Sequence, residues 1–138
     1  MTLAFEKWEG LGNDFVIVRR GSGLDRARAM ELCDRHRGIG GDGVLEGAVE
    51  HGRLSMRVVN ADGSEPEMCG NGLRCVARYA IDTGLVSGPR FEVETAAGPH
   101  GCEVLPGGLV RVQMRAPSLV PGDVPVRAQA PLRDASIE

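Results

Sequence analysis

The chain has 138 residues, enough for one domain with a hydrophobic core, and its 42% hydrophobic and 25% charged residues are ordinary for a globular protein. Sixteen basic and nineteen acidic residues give a net charge of −3, and no basic run or aromatic-interleaved patch occurs, which argues against a nucleic-acid partner. The sequence has neither an apolar run of the length that a membrane span needs nor the layout of a secretory signal, so we expect no membrane partner and a cytoplasmic location.

The residues before Asn60 are predicted to form four strands and one helix, separated by glycine-rich loops. Alternating apolar residues with turn residues at their ends predict the strands, which span 3–8, 15–19, 44–49 and 54–58. Helical spacing of apolar residues predicts the helix over 24–36, and its expected inner face comprises Ala29, Leu32, Cys33 and His36. The two glycine-rich loops are Gly10-Leu-Gly-Asn13-Asp14 and 38–43.

The residues after Asn60 are predicted to form a second helix and three further strands. Apolar residues recur at helical spacing over roughly 72–83, at Leu73, Val76, Ala77, Ala80 and Ile81. Gly/Pro turns separate the three strands, which span 91–95, 102–105 and 109–114. Many short strands with two helices indicate an α+β domain over 1–116. Residues 117–138 are punctuated by prolines and are predicted to be an extended connector.

Cys69 is expected to lie at or just before the first turn of the second helix. The first N–H groups of a helix have no partner within the helix, and they add to the positive end of its dipole. Both features stabilise a thiolate, and the same N–H groups can hold a carboxylate. Cys69 is therefore a candidate base for proton chemistry next to a carboxylate. The alternative interpretation is a small buried residue before an ordinary helix.

The cysteine and lysine contents bear on metals and cofactors. The four cysteines include no C-x-x-C pair, and their spacing is a poor match to a structural zinc site, so we expect free thiols and no metal. Lys7 is the only lysine, and a pyridoxal phosphate enzyme needs a lysine for its Schiff base. We therefore expect no cofactor.

Three sequence blocks stand out by their order and spacing. They are Gly10-Leu-Gly-Asn13-Asp14-Phe15, Asp34-Arg-His36-x-Gly38-Ile-Gly40-Gly-Asp42, and Asn60-Ala-Asp-Gly-Ser64-Glu-x-x-x-Cys69-Gly70-Asn71-Gly72-x-Arg74-Cys75. These blocks resemble those of the diaminopimelate epimerase family. The third block is long and highly specific. With Glu94-Thr95-Ala-Ala-Gly98 after it, the resemblance covers nearly all of residues 5–116.

This resemblance implies a fold, a reaction and a set of site residues. Members of the family are cofactor-independent racemases that convert LL-diaminopimelate to the meso isomer for lysine and cell-wall synthesis. They have two similar domains, each a mixed, mostly antiparallel sheet wrapped around a central helix, and each domain gives one catalytic cysteine to the cleft between them. By resemblance Cys69 is the first catalytic cysteine, and the substrate-binding residues are Asn13, Asn60, Gly70 and Asn71.

Inversion at a carbon needs a base on one face and an acid on the other, and a thiolate and a thiol can fill these roles. The remaining cysteines do not form a second active-site block: Cys33 lies in the first predicted helix, Cys75 is six residues beyond Cys69 in the second, and Cys102 is in a predicted strand. We therefore expect the second cysteine in a C-terminal domain outside residues 1–138, and no epimerisation by these residues alone. The expected partners are an amino-acid substrate and that domain, with a homodimer as a further option.

Three alternatives stay open at this point. Glu9 and Gly43 stand where many relatives carry histidine and some carry glutamine, which leaves room for a related racemase of another amino acid. A stand-alone, non-catalytic carboxylate-binding module is the second alternative. A thiol hydrolase or transferase is the third, and it needs a base to activate the cysteine.

Overall fold

The structure is a computed structural model that describes residues 2–134 and 136. Two α-helices separate groups of two, two and three strands, and one short 3-10 helix lies near the end. In chain order they are β1 (Phe5–Gly10), β2 (Asn13–Arg19), α1 (Arg26–Cys33), β3 (Gly43–Glu50), β4 (Arg53–Asn60), α2 (Gly70–Asp82), β5 (Arg90–Thr95), β6 (Gly98–Val104), β7 (Val110–Val112) and the 3-10 helix Pro121–Asp123.

The seven strands form one sheet in the order of the sequence, β1 to β7. The pairs β2–β3 and β4–β5 are parallel, and a helix connects the two strands of each pair. The other four pairings are antiparallel. Helix α2 contacts both edge strands, β1 and β7, as well as strands between them. A sheet can touch one helix with both edges only if it curls around it, so the predicted α+β fold with a central helix is confirmed.

The middle of the sheet is covered on both faces. In β2, Phe15 and Ile17 pack in the cluster around α2, whereas Val16 and Val18 pack in the cluster against α1. Successive side chains of a strand point to opposite faces, so a strand that is covered on both faces can be apolar at every position. This explains the uninterrupted apolar run in β2.

Helix α1 is shorter than the predicted helix over 24–36. It begins after Asp25, whose carboxylate accepts the Arg28 N–H at 2.7 Å, and it ends at Cys33. The Asp34 carboxylate then accepts the backbone N–H groups of His36 (2.8 Å) and Arg37 (3.0 Å). These bonds replace helical ones, because an Asp side chain offers the backbone an alternative partner. His36 is therefore outside the helix and exposed, and its predicted place on the inner face is wrong.

The other elements agree with the predicted ones to within a few residues. The largest differences are β6, which begins four residues before the predicted start, and β7, which is shorter than the predicted 109–114. Residues 117–134 contain neither a strand nor an α-helix. None of the helices in the described part of the chain is both long and apolar enough to cross a membrane.

The central position of α2 predicts a large effect of truncating Leu73, which is fully buried between this helix and the sheet. Changing Leu73 to Ala should lower the free energy of unfolding by about 2–5 kcal/mol, because it removes buried methyl groups and leaves a cavity. Urea unfolding measures the change. The control is Leu109→Ala at a side chain that is 71% exposed. A similar loss of unfolding free energy in both variants would contradict the central position of α2.

Candidate functional site

The ends of three strands and the start of α2 meet at one end of the sheet, which we call the sheet edge. Strand β2 begins at Asn13, β3 begins beside it at Gly43, and β4 ends at Asn60, which pairs with Gly43. The start of α2 lies against the β1–β2 turn, since a Cβ placed on Gly10 would be 3.5 Å from the Asn71 carbonyl oxygen. The sheet edge therefore brings candidate residues from two separate sequence blocks, the first and the third, to one end of the molecule.

Cys69 is the residue that caps the N-terminus of α2. Its backbone is extended, and its Sγ accepts the Gly72 N–H at 3.4 Å. The side chain is half-buried, packed against the central cluster but still open to solvent. The expectation that Cys69 lies at or just before the first helical turn is confirmed. The alternative of a fully buried cysteine does not fit this exposure.

Gly72 allows the first turn of α2 to rest directly on β3. A Cβ on this residue would lie 3.0 Å from Leu45 Cδ2, closer than ordinary van der Waals contact. A side chain there would require the Leu45 side chain or the helix start to shift by a few tenths of an ångström. The glycine therefore allows close packing between Leu45 of β3 and the turn that Cys69 caps.

Asn13 and Asn71 are in direct contact. The Asn71 Nδ2 group donates to Asn13 Oδ1 at 3.3 Å, and the Arg74 guanidinium donates to Asn71 Oδ1. The Asn13 Nδ2 group donates to Asp42 Oδ2 at 2.7 Å. These bonds place two of the predicted binding residues side by side at the entrance of α2.

Asn60 lies at the same sheet edge but is held within its own turn. Its Nδ2 group donates to Ser64 Oγ at 2.9 Å, and its backbone N–H donates to the Ser64 carbonyl at 2.8 Å. Gly70 is the first residue of α2 and is half-buried; a Cβ on it would lie 3.9 Å from Met114 Cε. Hence Asn13 and Asn71 are hydrogen-bonded to each other. Asn60 is near them because it lies at the same sheet edge, and Gly70 because it precedes Asn71 in α2.

The loop that leads to Cys69 is tied down by Glu65. The Glu65 carboxylate accepts from Arg57 of β4 at 2.9 Å and from Arg26 of α1 at 3.1 Å. Hydrogen bonds from Arg57 and then from Arg26 lower the pKa of Glu65 to about 2. The carboxylate therefore stays charged near neutral pH, and this loop is anchored to both the sheet and the outer helix.

A second charged cluster supports the β1–β2 turn and the second glycine-rich loop. Arg35 donates to the Asp14 carboxylate at 2.7 and 3.0 Å and to Asp42 at 3.0 Å, while Lys7 donates to Asp14 at 2.7 Å. Arg35, and after it Lys7, holds the pKa of Asp14 well below its usual range. Sequence reasoning gave Arg35 and Asp42 no role, although both stand in the second of the three sequence blocks.

Two cavities lie away from this sheet edge. One of about 870 Å³ is at the opposite end, lined by residues 2–6, the end of β2 and Tyr79, and one of about 600 Å³ is formed by β5, β6 and β7. Neither is lined by Cys69 or by the predicted binding residues. The cavities and the candidate residues thus mark different places. We assign the candidate site to the sheet edge because the solvent-accessible thiol and the paired carboxamides lie there.

Comparison with known proteins agrees with the sequence blocks gathered at this edge. The family model described as diaminopimelate epimerase matches residues 5–120. The chain is 48% identical over 136 residues to the diaminopimelate epimerase of Desulforudis audaxviator, covering 93% of this chain and 49% of that protein. It is 46% identical over 144 residues to that of Moorella thermoacetica, covering 97% and 52%.

The chain belongs to the diaminopimelate epimerase family. It spans about half the length of the curated relatives it matches. Solved structures show the same fold at lower identity. A hydroxyproline epimerase from Agrobacterium vitis has a TM-score of 0.60 at 16% identity, covering 80% of this chain and 40% of that one. A PhzF-family protein from Bacillus anthracis has a TM-score of 0.56 at 19% identity, covering 80% and 38%.

The other thiols of this family member differ from Cys69 in their surroundings. Cys33, Cys75 and Cys102 are buried, whereas Cys69 is half-buried. Burial raises the pKa of the Cys75 and Cys102 thiols to about 11 and also raises the pKa of Cys33. These three thiols therefore remain protonated near neutral pH. Within the described residues, no group of three or more His, Cys, Asp or Glu side chains is placed to hold a metal ion.

This difference predicts selective alkylation of Cys69. At pH 8, iodoacetamide should modify Cys69 well before the other three thiols. Alkylation needs an accessible sulfur in its thiolate form, and burial of the other three thiols both blocks access and disfavours the thiolate. Peptide mass mapping over time measures the four rates. Labelling in urea is the control, where the four rates should converge, and alkylation of Cys75 or Cys102 as fast as Cys69 in the folded protein would contradict this arrangement.

Proposed function

We propose that this chain forms one half of an active site that epimerises diaminopimelate without a cofactor, with Cys69 as one of two acid/base thiols. The observation that carries the proposal is the position of Cys69: its sulfur is open to solvent at the entrance of α2, beside paired carboxamides. Membership of the family supports the substrate class, since its curated relatives are named diaminopimelate epimerase.

Removal of an α-proton requires a base held against the carbon and donors that stabilise the charge developing on the substrate carboxylate. The first N–H groups of α2 have no partner at the i−4 position within the helix, and they lie next to the sulfur. Gly72 uses its N–H on Cys69 Sγ, so the N–H groups of Gly70 and Asn71 are those proposed to receive the carboxylate. A base and an anion site thus share the same helical turn.

The carboxamides at the sheet edge are proposed to hold the rest of the substrate's polar groups. Asn13 and Asn71 form a joined pair, and Asn60 lies across β3 from them. Carboxamides both donate and accept, so they suit a substrate that carries ammonium and carboxylate groups. Diaminopimelate carries two of each.

The acid on the opposite face of the α-carbon is proposed to be a second cysteine outside residues 1–138. The other three thiols are buried and lie in α1, α2 and β6, so they are not available to a substrate at the sheet edge. Relatives that match this chain are about twice its length, which leaves room for a second domain reached through residues 117–138. On this proposal residues 1–138 alone do not epimerise their substrate.

The test is hydrogen exchange at the substrate α-carbon by the complete protein in heavy water. Changing Cys69 to Ala should slow epimerisation by about 10²–10⁴-fold, since it removes a positioned acid/base group. NMR of the substrate measures both deuterium incorporation and the isomer ratio.

The matched control is Cys33→Ala, which removes a buried thiol in α1 that the proposal does not use. Equal rates in the two variants would reject Cys69 as an acid/base residue. Substrate binding by calorimetry with no exchange in the unmodified complete protein would instead indicate a non-catalytic binding module.

A further inference from the structure

A chain of hydrogen bonds connects the charged cluster to the entrance of α2. Arg35 donates to Asp42, Asp42 accepts from the side chain of Asn13, and Asn13 accepts from Asn71. Arg74 then donates to the other side of Asn71. Each carboxamide is held at its oxygen and its nitrogen, so neither can rotate by 180° without losing bonds.

Both carboxylate oxygens of Asp42 accept hydrogen bonds within this chain of contacts. Its Oδ2 accepts from Asn13 Nδ2 at 2.7 Å and from the Asp14 N–H at 3.0 Å, while its Oδ1 accepts from Arg35 at 3.0 Å. An ionised carboxylate accepts on both oxygens, whereas a carboxamide of the same shape accepts on only one. The charge of Asp42 is therefore needed to serve Asn13 and Arg35 together.

The backbone of Asp42 also joins the two loops that carry the binding residues. Its N–H donates to the Asp14 carbonyl at 2.8 Å, and its carbonyl accepts the Ala61 N–H at 3.0 Å. Asp14 follows Asn13 at the start of β2, and Ala61 follows Asn60 at the end of β4. Asp42 is thus fixed in place before its side chain meets Asn13.

These bonds decide what Asn13 and Asn71 can offer a ligand. Asn13 uses one N–H on Asp42, and Asn71 uses one N–H on Asn13. Among the described residues, the second N–H of each carboxamide has no acceptor, so each can donate to a bound molecule. Without Asp42, Asn13 could turn over and present its oxygen to the same group.

We propose that Asp42 is a positioning residue, which orients the Asn13 carboxamide and, through it, that of Asn71 for the substrate. The inference rests on the proposed function, because it assigns the two carboxamides to substrate binding. Asp42 does not touch the reacting atoms in this proposal. Its loss should therefore act on substrate binding more than on the thiol chemistry.

Asp42→Asn in the complete protein tests this inference. The variant keeps the shape of the side chain but leaves a donor facing either Asn13 or Arg35. It should lower kcat/KM by about 10- to 100-fold, mainly through KM, since a hydrogen bond to a charged group is lost. Iodoacetamide should still alkylate Cys69 at the unmodified rate, because the sulfur keeps its place on α2.

The matched control is Asp82→Asn at the other end of α2. Asp82 has a side-chain exposure of 41% against 42% for Asp42, and it pairs with Arg78 at 2.9 Å in the way Asp42 pairs with Arg35. This control should keep the KM of the unmodified protein. An unchanged KM in both variants would overturn the positioning role of Asp42.

A measurement on the unmodified protein keeps the inference testable if Asp42→Asn does not fold. In ¹H–¹⁵N NMR spectra, one Asn13 side-chain proton should be shifted downfield and exchange slowly, because it is bonded to the Asp42 carboxylate. Two Asn13 protons with the shifts and exchange rates of a solvated carboxamide would overturn the inference. The proposed function would fail separately, through exchange activity that persists in Cys69→Ala.

Discussion

The close approach of α2 to the sheet is the constraint on which the site depends. Gly72 permits it, since a Cβ at this residue would lie 3.0 Å from Leu45. The same residue donates its N–H to the sulfur of Cys69, so one glycine both packs closely against β3 and takes part in the cap of the first turn. The curl of the sheet around α2 then brings the ends of β2 and β4 to the same place. A solvent-accessible thiol and the paired carboxamides are thereby brought to one end of the sheet.

Charge supports this arrangement from outside the central cluster. Glu65, between two arginines, ties the loop before Cys69 to β4 and α1, and Arg35 joins Asp14 to Asp42 beneath Asn13. Exposed ion pairs contribute little to stability one at a time, so their main effect here is to hold loops in one geometry. The thiol itself needs no such pair, since the helix supplies its donor. The start of α2 thus positions the thiol, whereas the ion pairs hold the loops around it.

Much of this could be predicted from the sequence because the signals are local. Apolar spacing located α2 and put Cys69 at its entrance, and alternation located residues 54–58 of β4. The end of α1 was missed because Asp34 turns its carboxylate back onto the backbone, which periodicity does not register. The contact between Asn13 and Asp42 joins residues 29 positions apart, and it depends on a parallel strand pairing that no single segment encodes.

The site depends on the hydrogen bond from the Gly72 N–H to the Cys69 sulfur at the entrance of α2. The most direct test follows the Gly72 amide in ¹H–¹⁵N NMR spectra while pH is raised through the ionisation of the Cys69 thiol. We expect the resonance of this amide to move further than those in the middle of α2, such as that of Ala77, and the movement to be lost in Cys69→Ala. A Gly72 resonance that stays still while the carbons of Cys69 titrate would contradict the hydrogen bond between the Gly72 N–H and the Cys69 sulfur.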